Sequence, residues 1–225
     1  MPESCQLYYI TDRRQFAGDE RARRGALLAK IAEAARAGVD YIQLREKDLS
    51  GRELERLAHE CACIVGKLRN ESGEQRTRLL INSRTDIALA AAADGVHLRS
   101  DDVSPSTVRS IWKQVASRNS KFAARGLIVA ASCHTASDVA RAASTGADFA
   151  VFAPVFEKRD APQVQPRGLA ALHEASAGKI PVFALGGVTI DNAASCLAVG
   201  AVGIAGIRLF QENKIEEVVR ALRAL

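Results

Sequence analysis

Long apolar runs and aromatic residues are scarce in this sequence. No apolar stretch reaches the ~18 residues that a membrane-spanning helix needs. Phe, Trp and Tyr make up 5% of the 225 residues, and the net charge of +5 is modest. A nucleic-acid-binding protein usually combines clustered Lys and Arg with stacking aromatic side chains. We therefore expect no membrane segment and no nucleic-acid partner, and the mild positive charge suits small anionic substrates better.

The N-terminus also has no charged segment followed by an apolar one, so we expect no secretion signal. The five cysteines are odd in number, so we expect no disulfide framework. Together these features predict a cytoplasmic protein. Cys61 and Cys63 stand two residues apart on a predicted helix and point in different directions, which disfavours metal binding. Cys133 is either a small buried residue, which we favour, or a ligand or nucleophile.

Short apolar runs alternate with helical segments along the whole chain. Eight strand–helix pairs in 225 residues predict an α/β fold, a single-domain (β/α)8 TIM barrel spanning residues 1–225. An open doubly wound sheet is the structural alternative. The predicted strands cover residues 7–10, 39–44, 79–81, 96–98, 126–131, 148–152, 181–185 and 202–205.

Helix-capping patterns support several of the intervening helices. Ser50 and Glu53 have the spacing of a capping box for a helix over residues 50–68. Pro105 suits the first position of a helix over residues 105–117. Asn213 is predicted to cap the last helix, over residues 214–225.

Polar side chains and glycines follow the predicted strands, where a barrel builds its site. The mouth of the predicted barrel therefore gathers Thr11, Asp12, Gln43, Arg45, Lys47, Asn82, Ser83, His97, Asp101, Asp102, Ser132, His134, Gly186, Gly187 and the segment 206–208. The long segment 153–167 is a candidate lid over this mouth.

Gly186 and Gly187 follow the seventh predicted strand and precede a helix. Glycines at such a place let backbone N–H groups approach a phosphate, and the helix dipole favours the anion. Barrels often bind phosphate after strands seven and eight. The alternative is a tight turn without a ligand.

Gln43, Arg45 and Lys47 alternate at the end of the second predicted strand. The alternation places all three on one face, with Glu46 and Asp48 on the other. An Arg fork beside a Lys point charge suits an oxygen-rich anion such as pyrophosphate. The alternative is a salt-bridge ladder on the surface.

Asp101 and Asp102 are candidate ligands of Mg²⁺, which binds one or two carboxylates together with substrate phosphates and water. Either residue could instead cap the helix that begins near Pro105. His97 lies in an apolar strand and is interpreted as structural. His134 stands at a strand end, where it either transfers a proton or occupies a turn.

The sequence resembles the thiamine-phosphate synthase family and its close relative, thiazole tautomerase, over nearly its whole length. The motifs that carry the resemblance are Tyr9-Ile10-Thr11-Asp12, Gln43-Leu44-Arg45-Glu46-Lys47-Asp48, Ile81-Asn82-x-Arg84-x-Asp86-Ile87-Ala88, Ala93-Asp94-Gly95-Val96-His97-Leu98, Ser132-x-His134, Gly146-Ala147-Asp148, Pro154-Val155-Phe156 and Ala184-Leu185-Gly186-Gly187-Val188.

The resemblance implies an enzyme that condenses hydroxymethylpyrimidine pyrophosphate with hydroxyethylthiazole phosphate. Its partners would be small phosphorylated molecules, its cofactor Mg²⁺, and a homo-oligomer is compatible with the sequence. The implied pyrimidine contact is Gln43; the pyrophosphate contacts are Arg45, Lys47, Asn82 and Ser132; the metal ligand is Asp102; and the thiazole phosphate contacts are Gly187 and Ile207. Together with the residue-based interpretation, this gives Arg45, Lys47, Ser132 and His134 as catalytic candidates, with Lys158, Gly186 and Arg208 as further binding candidates.

Three positions depart from the pattern of the synthases. Ser83 stands where an Asp is usual, and Asp101 would have to compensate. The usual Thr-x-Thr-Lys is absent, so Lys158 or Arg159 would replace its lysine. Arg208 stands where a phosphate-binding Ser is usual.

Ser83 and the loop over residues 156–160 resemble the tautomerase branch. That enzyme aromatises a thiazole carboxylate phosphate by proton transfer, with a histidine matching His134 and without Mg²⁺. Gln43, Lys47 and Asp102 favour the synthase. A non-catalytic binder of phosphorylated ligands is the third alternative.

Overall fold

Eight parallel strands close into a barrel in the computed structural model, which describes residues 4–72, 77–117, 126–159 and 161–225. The strand order follows the chain, and β8 pairs with β1. The predicted (β/α)8 barrel is therefore confirmed over the open sheet. The strands are β1 (Gln6–Ile10), β2 (Tyr41–Leu44), β3 (Arg78–Asn82), β4 (Gly95–Leu98), β5 (Ile128–Cys133), β6 (Phe149–Phe152), β7 (Val182–Ala184) and β8 (Gly203–Gly206).

Helices follow the strands and cover the outside of the barrel. In the described ranges they are α1 (Glu20–Arg36), α2 (Gly51–Ser72), α3 (Thr85–Ala90), α4 (Pro105–Ala116), α5 (Ala136–Ser144), α6 (Gly168–Ser176), α7 (Ile190–Ala198), α8 (Arg208–Gln211) and α9 (Ile215–Arg223), with a 3₁₀ turn over Arg13–Gln15 after β1. None of these helices has the length and apolar character required to cross a bilayer.

The barrel interior is filled by aromatic rings. Tyr8, Tyr41, Phe149 and Phe183 point inward from β1, β2, β6 and β7, with ring centroids 4.8–5.9 Å apart. Edge-to-face and tilted pairs of this kind stabilise a core by about 0.5–1.5 kcal/mol each beyond their buried area. Four of the eleven aromatic residues of the sequence thus meet inside the barrel.

Most of the predicted caps are confirmed, and one is wrong. The Ser50 N–H donates to the Glu53 carboxylate and the Glu53 N–H to Ser50 Oγ, as a capping box requires. Ser104, and neither Asp101 nor Asp102, caps α4. The N-cap of α9 is Lys214, whereas the Asn213 side chain donates to the Leu209 carbonyl. The short helix α8 ends just before Asn213. Because the Asn213 side chain binds a carbonyl of α8, it does not cap α9.

The close packing of neighbouring strands yields a stability prediction. A methyl group at Gly95 would lie 1.9 Å from the Ile128 carbonyl oxygen, whereas one at Gly25 in α1 would meet nothing within 4 Å. Gly95→Ala should therefore lower the free energy of unfolding by about 1–3 kcal/mol or more, because the strands must separate. Gly25→Ala, the matched control, should raise it by roughly 0.5–1 kcal/mol. Urea denaturation measures both, and equal midpoints for the two variants would contradict the described β4–β5 packing.

Candidate active site

The last inward-facing layer of the barrel is divided into a polar and an apolar half. Gln43 pairs in register with Ile10, Asn82 with His97, and Ser132 with Val151. The polar half comes from β2 to β5 and consists of Gln43, Asn82, His97 and Ser132. The apolar half consists of Ile10 in β1, Val151 in β6, and Leu185 and Ile207, which directly follow β7 and β8. A ligand at the mouth therefore meets hydrogen-bonding groups on one side and hydrocarbon on the other.

Gln43 carries an unsatisfied acceptor at the polar side. Its Nε2 donates to Asn82 Oδ1 at 2.8 Å, and Asn82 Nδ2 donates to Ser83 Oγ at 3.1 Å. Gln43 is 2% exposed, and its Oε1 has no hydrogen-bond donor in the part of the chain that the structure describes. Because buried polar atoms are nearly always paired, this oxygen indicates a ligand with an N–H group.

Arg13 forms ion pairs with two carboxylates on the side of the turn that faces away from the mouth. Its guanidinium lies 3.1 Å from Glu46 and 2.7 Å from Asp48, and Arg13 itself is 3% exposed. Thr11 Oγ donates to Glu46 as well and accepts the N–H of Arg45. The predicted separation of Glu46 and Asp48 from Arg45 and Lys47 is confirmed, although β2 ends at Leu44 and these four residues lie in the turn beyond it.

Arg45 and Lys47 are two cations two residues apart in the chain, and neither has a carboxylate contact among the described residues. The charge of Arg45 is the largest cause that lowers the pKa of Lys47, followed by burial and by Arg99 and Arg14. Burial lowers the pKa of Arg45, and Asp12 and Glu46 oppose that shift from a distance. Like charges repel each other, so an anion that binds both side chains is favoured.

The segment after β6 packs on the two glycines after β7. Gly186 and Gly187 have φ angles of 97° and 66°, and a methyl group at Gly187 would lie 2.4 Å from the Glu157 carbonyl. Their carbonyl oxygens accept from the Phe156 N–H and from Asn192 Nδ2, whereas their own N–H groups donate to nothing in the described ranges. These two N–H groups are therefore available to an anion.

Lys158 and Arg159 differ in their partners. The Lys158 side chain passes over Gly186, where its Cε lies 3.2 Å from the position of an added methyl group. Arg159 instead donates to both carboxylate oxygens of Glu212, beyond α8. Arg208 also approaches Glu212, at 3.6 Å. Of the two cations considered for the missing lysine, Lys158 lies at the glycines.

Arg99 contacts both candidate metal ligands. Its backbone N–H donates to Asp102 Oδ2 at 2.7 Å, and its guanidinium binds both oxygens of Asp101, which is largely exposed. Asp102 Oδ1 lies 3.8 Å from Arg99 Nε. The described residues include no group of three or more His, Cys, Asp or Glu able to hold a metal. Any Mg²⁺ here would take most of its ligands from substrate phosphates and water, a set that this hard cation accepts.

His134 is held in one tautomer at the rim. Its Nδ1 lies 2.7 Å from the Ala153 carbonyl oxygen, which accepts only, so Nδ1 carries the proton and Nε2 is a free base in the neutral ring. The adjacent Cys133 is buried, and burial raises the pKa of its thiol to about 12. This supports the interpretation of Cys133 as a small core residue over that of a nucleophile.

Sequence reasoning left out Arg13 and assigned His97 a structural role only. Arg13 was not among the residues predicted to lie at the mouth, although its position three residues after the end of β1 could have indicated it. His97 was interpreted as structural, and it is indeed buried, but it contacts Ser132 Oγ at 2.8 Å. His97 faces the barrel interior and pairs in register with Asn82, and this position could have indicated the contact.

Comparisons with known proteins agree with this geometry. The sequence model of the family described as thiamine monophosphate synthase matches residues 7–210. A relative from Aquifex aeolicus (strain VF5), provisionally named thiamine-phosphate synthase 2, is 39% identical, with 93% of this chain and 100% of that protein covered. The thiamine-phosphate synthase of Methanoculleus marisnigri is 34% identical over 96% of this chain and 93% of its own length. The solved thiamine phosphate pyrophosphorylase from Pyrococcus furiosus superposes with a TM-score of 0.75 at 28% identity, covering 97% of this chain and 94% of that one.

The proximity of Arg45 and Lys47 can be tested in the protein without ligand. Arg45→Gln removes the largest cause that lowers the pKa of Lys47, so this pKa should rise toward its ordinary value. NMR titration of the labelled lysine side chains measures the shift. Arg220→Gln, on the exposed face of α9, is the control and should leave it unchanged. An unaltered Lys47 pKa in Arg45→Gln would show that the two cations are not neighbours.

Proposed function

The chain belongs to the thiamine monophosphate synthase family, and we propose that it joins hydroxymethylpyrimidine pyrophosphate to hydroxyethylthiazole phosphate. The products are thiamine phosphate and pyrophosphate, so the enzyme is a transferase. The observation that carries the proposal is the pairing of Arg45 with Lys47, two cations without a carboxylate contact among the described residues, beside the unsatisfied acceptor of Gln43.

The reaction exchanges one bond for another at the pyrimidine methylene carbon. The C–O bond to pyrophosphate breaks, and its electron pair leaves with the pyrophosphate. The electron-rich pyrimidine stabilises the resulting cation, which the thiazole nitrogen captures to form the new C–N bond. Charge therefore builds up on the leaving oxygen, and fixed positive groups around it lower the barrier.

The polar half of the mouth suits the pyrimidine pyrophosphate. Arg45 and Lys47 would bind the leaving group, with Asn82 and the Ser132 hydroxyl as further donors. Gln43 Oε1 would accept from the exocyclic amino group of the pyrimidine, because the hydrogen bond from Nε2 to Asn82 fixes its direction. The same amide thus orients the ring whose methylene carbon reacts.

The apolar half suits the thiazole. Val151, Leu185 and Ile207 offer hydrocarbon to the ring, and the N–H groups of Gly186 and Gly187 would bind its phosphate. Lys158 and Arg208 would add positive charge there. The two substrates would then meet across the boundary between the halves.

Mg²⁺ would be held by the Asp102 carboxylate together with oxygens of the substrate. When bound, it would neutralise part of the charge on the leaving pyrophosphate. Asp101 could contribute only after releasing Arg99, since both of its oxygens bind that side chain. That the Asp101 carboxylate replaces the one usually found at the position of Ser83 stays a prediction. The requirement for Mg²⁺ also stays a prediction.

His134 favours a second candidate function. Its free Nε2 at the rim is arranged for proton transfer, as aromatisation of a thiazole carboxylate phosphate would need. This activity uses the same phosphate contacts but needs neither Lys47 nor Mg²⁺. We also propose a cytoplasmic location, where the five cysteines, all free in the structure, would remain reduced.

A two-substrate assay tests the proposed function directly. With Mg²⁺, the purified protein should form thiamine phosphate and pyrophosphate in equal amounts. Lys47→Ala should lower kcat/KM at least about tenfold, since it removes a charge that contacts the leaving group. Lys179→Ala, at the opposite end of the barrel, is the matched control and should retain activity. Failure to form product at high enzyme concentration would contradict the proposal.

The same preparation separates the two candidates. As a synthase, the protein should lose activity when chelators remove Mg²⁺ and retain much of it in His134→Ala. Turnover of the thiazole tautomer that persists without metal and stops in His134→Ala would instead establish the isomerase.

A further inference from the structure

A line of hydrogen bonds connects the barrel interior with the mouth. The Tyr8 hydroxyl lies 3.0 Å from His97 Nδ1, and His97 Nε2 lies 2.8 Å from Ser132 Oγ. Tyr8 and His97 are buried, and Ser132 is half-buried at the end of β5. The three side chains come from β1, β4 and β5, so only the closed barrel brings them together.

The His97 ring is neutral. Burial, and secondly the positive charge of Arg45, lowers the pKa of His97 to about 3. A neutral imidazole has one N–H donor and one acceptor nitrogen, and the partner of each nitrogen decides which is which. Both partners here are hydroxyl groups, which can donate or accept.

Two arrangements of the protons are therefore conceivable. In the first, Tyr8 donates to Nδ1 and Nε2–H donates to Ser132 Oγ, so the Ser132 proton is free to point into the mouth. In the second, Nδ1–H donates to Tyr8 and Ser132 donates to Nε2. In the second arrangement the Ser132 hydroxyl donates its proton to His97. It then has no proton left to donate to an anion.

The surroundings of Tyr8 select the first arrangement. Rings of Tyr41, Phe149 and Phe183 enclose it, and His97 is its one hydrogen-bond partner within the described residues. In the second arrangement the phenol proton would be buried without an acceptor, which costs the full desolvation of that group. In the first arrangement every buried hydrogen has an acceptor.

We propose that Tyr8 and His97 are positioning residues that turn the Ser132 hydroxyl into a hydrogen-bond donor aimed at the leaving pyrophosphate. The inference rests on the proposed function for the identity of the anion, but the orientation of the protons is a property of the free protein. Tyr8 fixes the tautomer of His97, and His97 fixes the direction of the Ser132 proton. Both residues are buried, and we infer that they act on the anion through Ser132.

NMR of the protein labelled with ¹⁵N-histidine reads the tautomer without any substrate. His97 should be in the Nε2–H form, unchanged between pH 5 and 9, and the His97→Gln spectrum assigns its signals. In Tyr8→Phe this preference should be lost, because Nδ1 no longer has a donor. Tyr41→Phe removes a hydroxyl from the same aromatic cluster and should leave the tautomer as it is. An Nδ1–H form in the unmodified protein would overturn the inference.

Kinetics test the consequence for Ser132. Tyr8→Phe should lower kcat about tenfold, a part of the loss expected from removing an oxyanion donor, with little change in KM. Tyr41→Phe should retain the full kcat, and adding Tyr8→Phe to Ser132→Ala should have no further effect. A Tyr8→Phe enzyme with reduced melting temperature but unchanged kcat would assign Tyr8 a structural role only, and so overturn the inference.

The two sets of results separate the inference from the proposed function. An Nε2–H tautomer in a protein that forms no thiamine phosphate would contradict the proposed function and leave the proton assignment standing. An Nδ1–H tautomer in an active synthase would contradict the inference alone.

Discussion

The ion pairs of Arg13 with Glu46 and Asp48 are the constraint on which the rest of the site depends. The segment after β2 alternates cations and anions, and on a free surface they would neutralise each other. Because a buried guanidinium binds both carboxylates on the outer side, the cations are left unneutralised on the inner side. Arg13 and Glu46 are both buried, and removing one partner of a buried ion pair costs about 3–5 kcal/mol, so the Glu46 carboxylate is held on the outer side. The turn is thereby fixed as a source of positive charge at the mouth.

The inward-facing layer of the barrel places polar and apolar groups around that charge. Its polar half holds an acceptor in Gln43 and a hydroxyl in Ser132, while its apolar half offers hydrocarbon beside the two glycine N–H groups. The proposed reaction joins a pyrimidine pyrophosphate to a thiazole ring, and it uses both halves. Closure of the barrel matters as much as its contents, since β1, β4 and β5 meet through Tyr8, His97 and Ser132 only in a closed sheet.

Local patterns in the sequence were enough to predict the barrel, most strand positions and the capping box of Ser50 and Glu53. They also predicted the opposed faces after β2, because alternation is a local rule. Contacts between distant residues could not be predicted in the same way. The hydrogen bonds of His97 join it to residues 89 and 35 positions away, and Arg13 lies 33 positions from Glu46. Asn213 was assigned to the wrong helix end because the four-residue helix α8 has no periodic signal.

Calorimetric titration with inorganic pyrophosphate tests most directly whether the two cations form an anion site. We expect a measurable heat of binding, and the binding should weaken at higher ionic strength. The affinity should be at least about tenfold lower in Arg45→Gln, a loss of ~1.4 kcal/mol, whereas Arg220→Gln should bind like the unmodified protein. Absence of binding at millimolar pyrophosphate, or equal affinities for Arg45→Gln and the unmodified protein, would contradict the account.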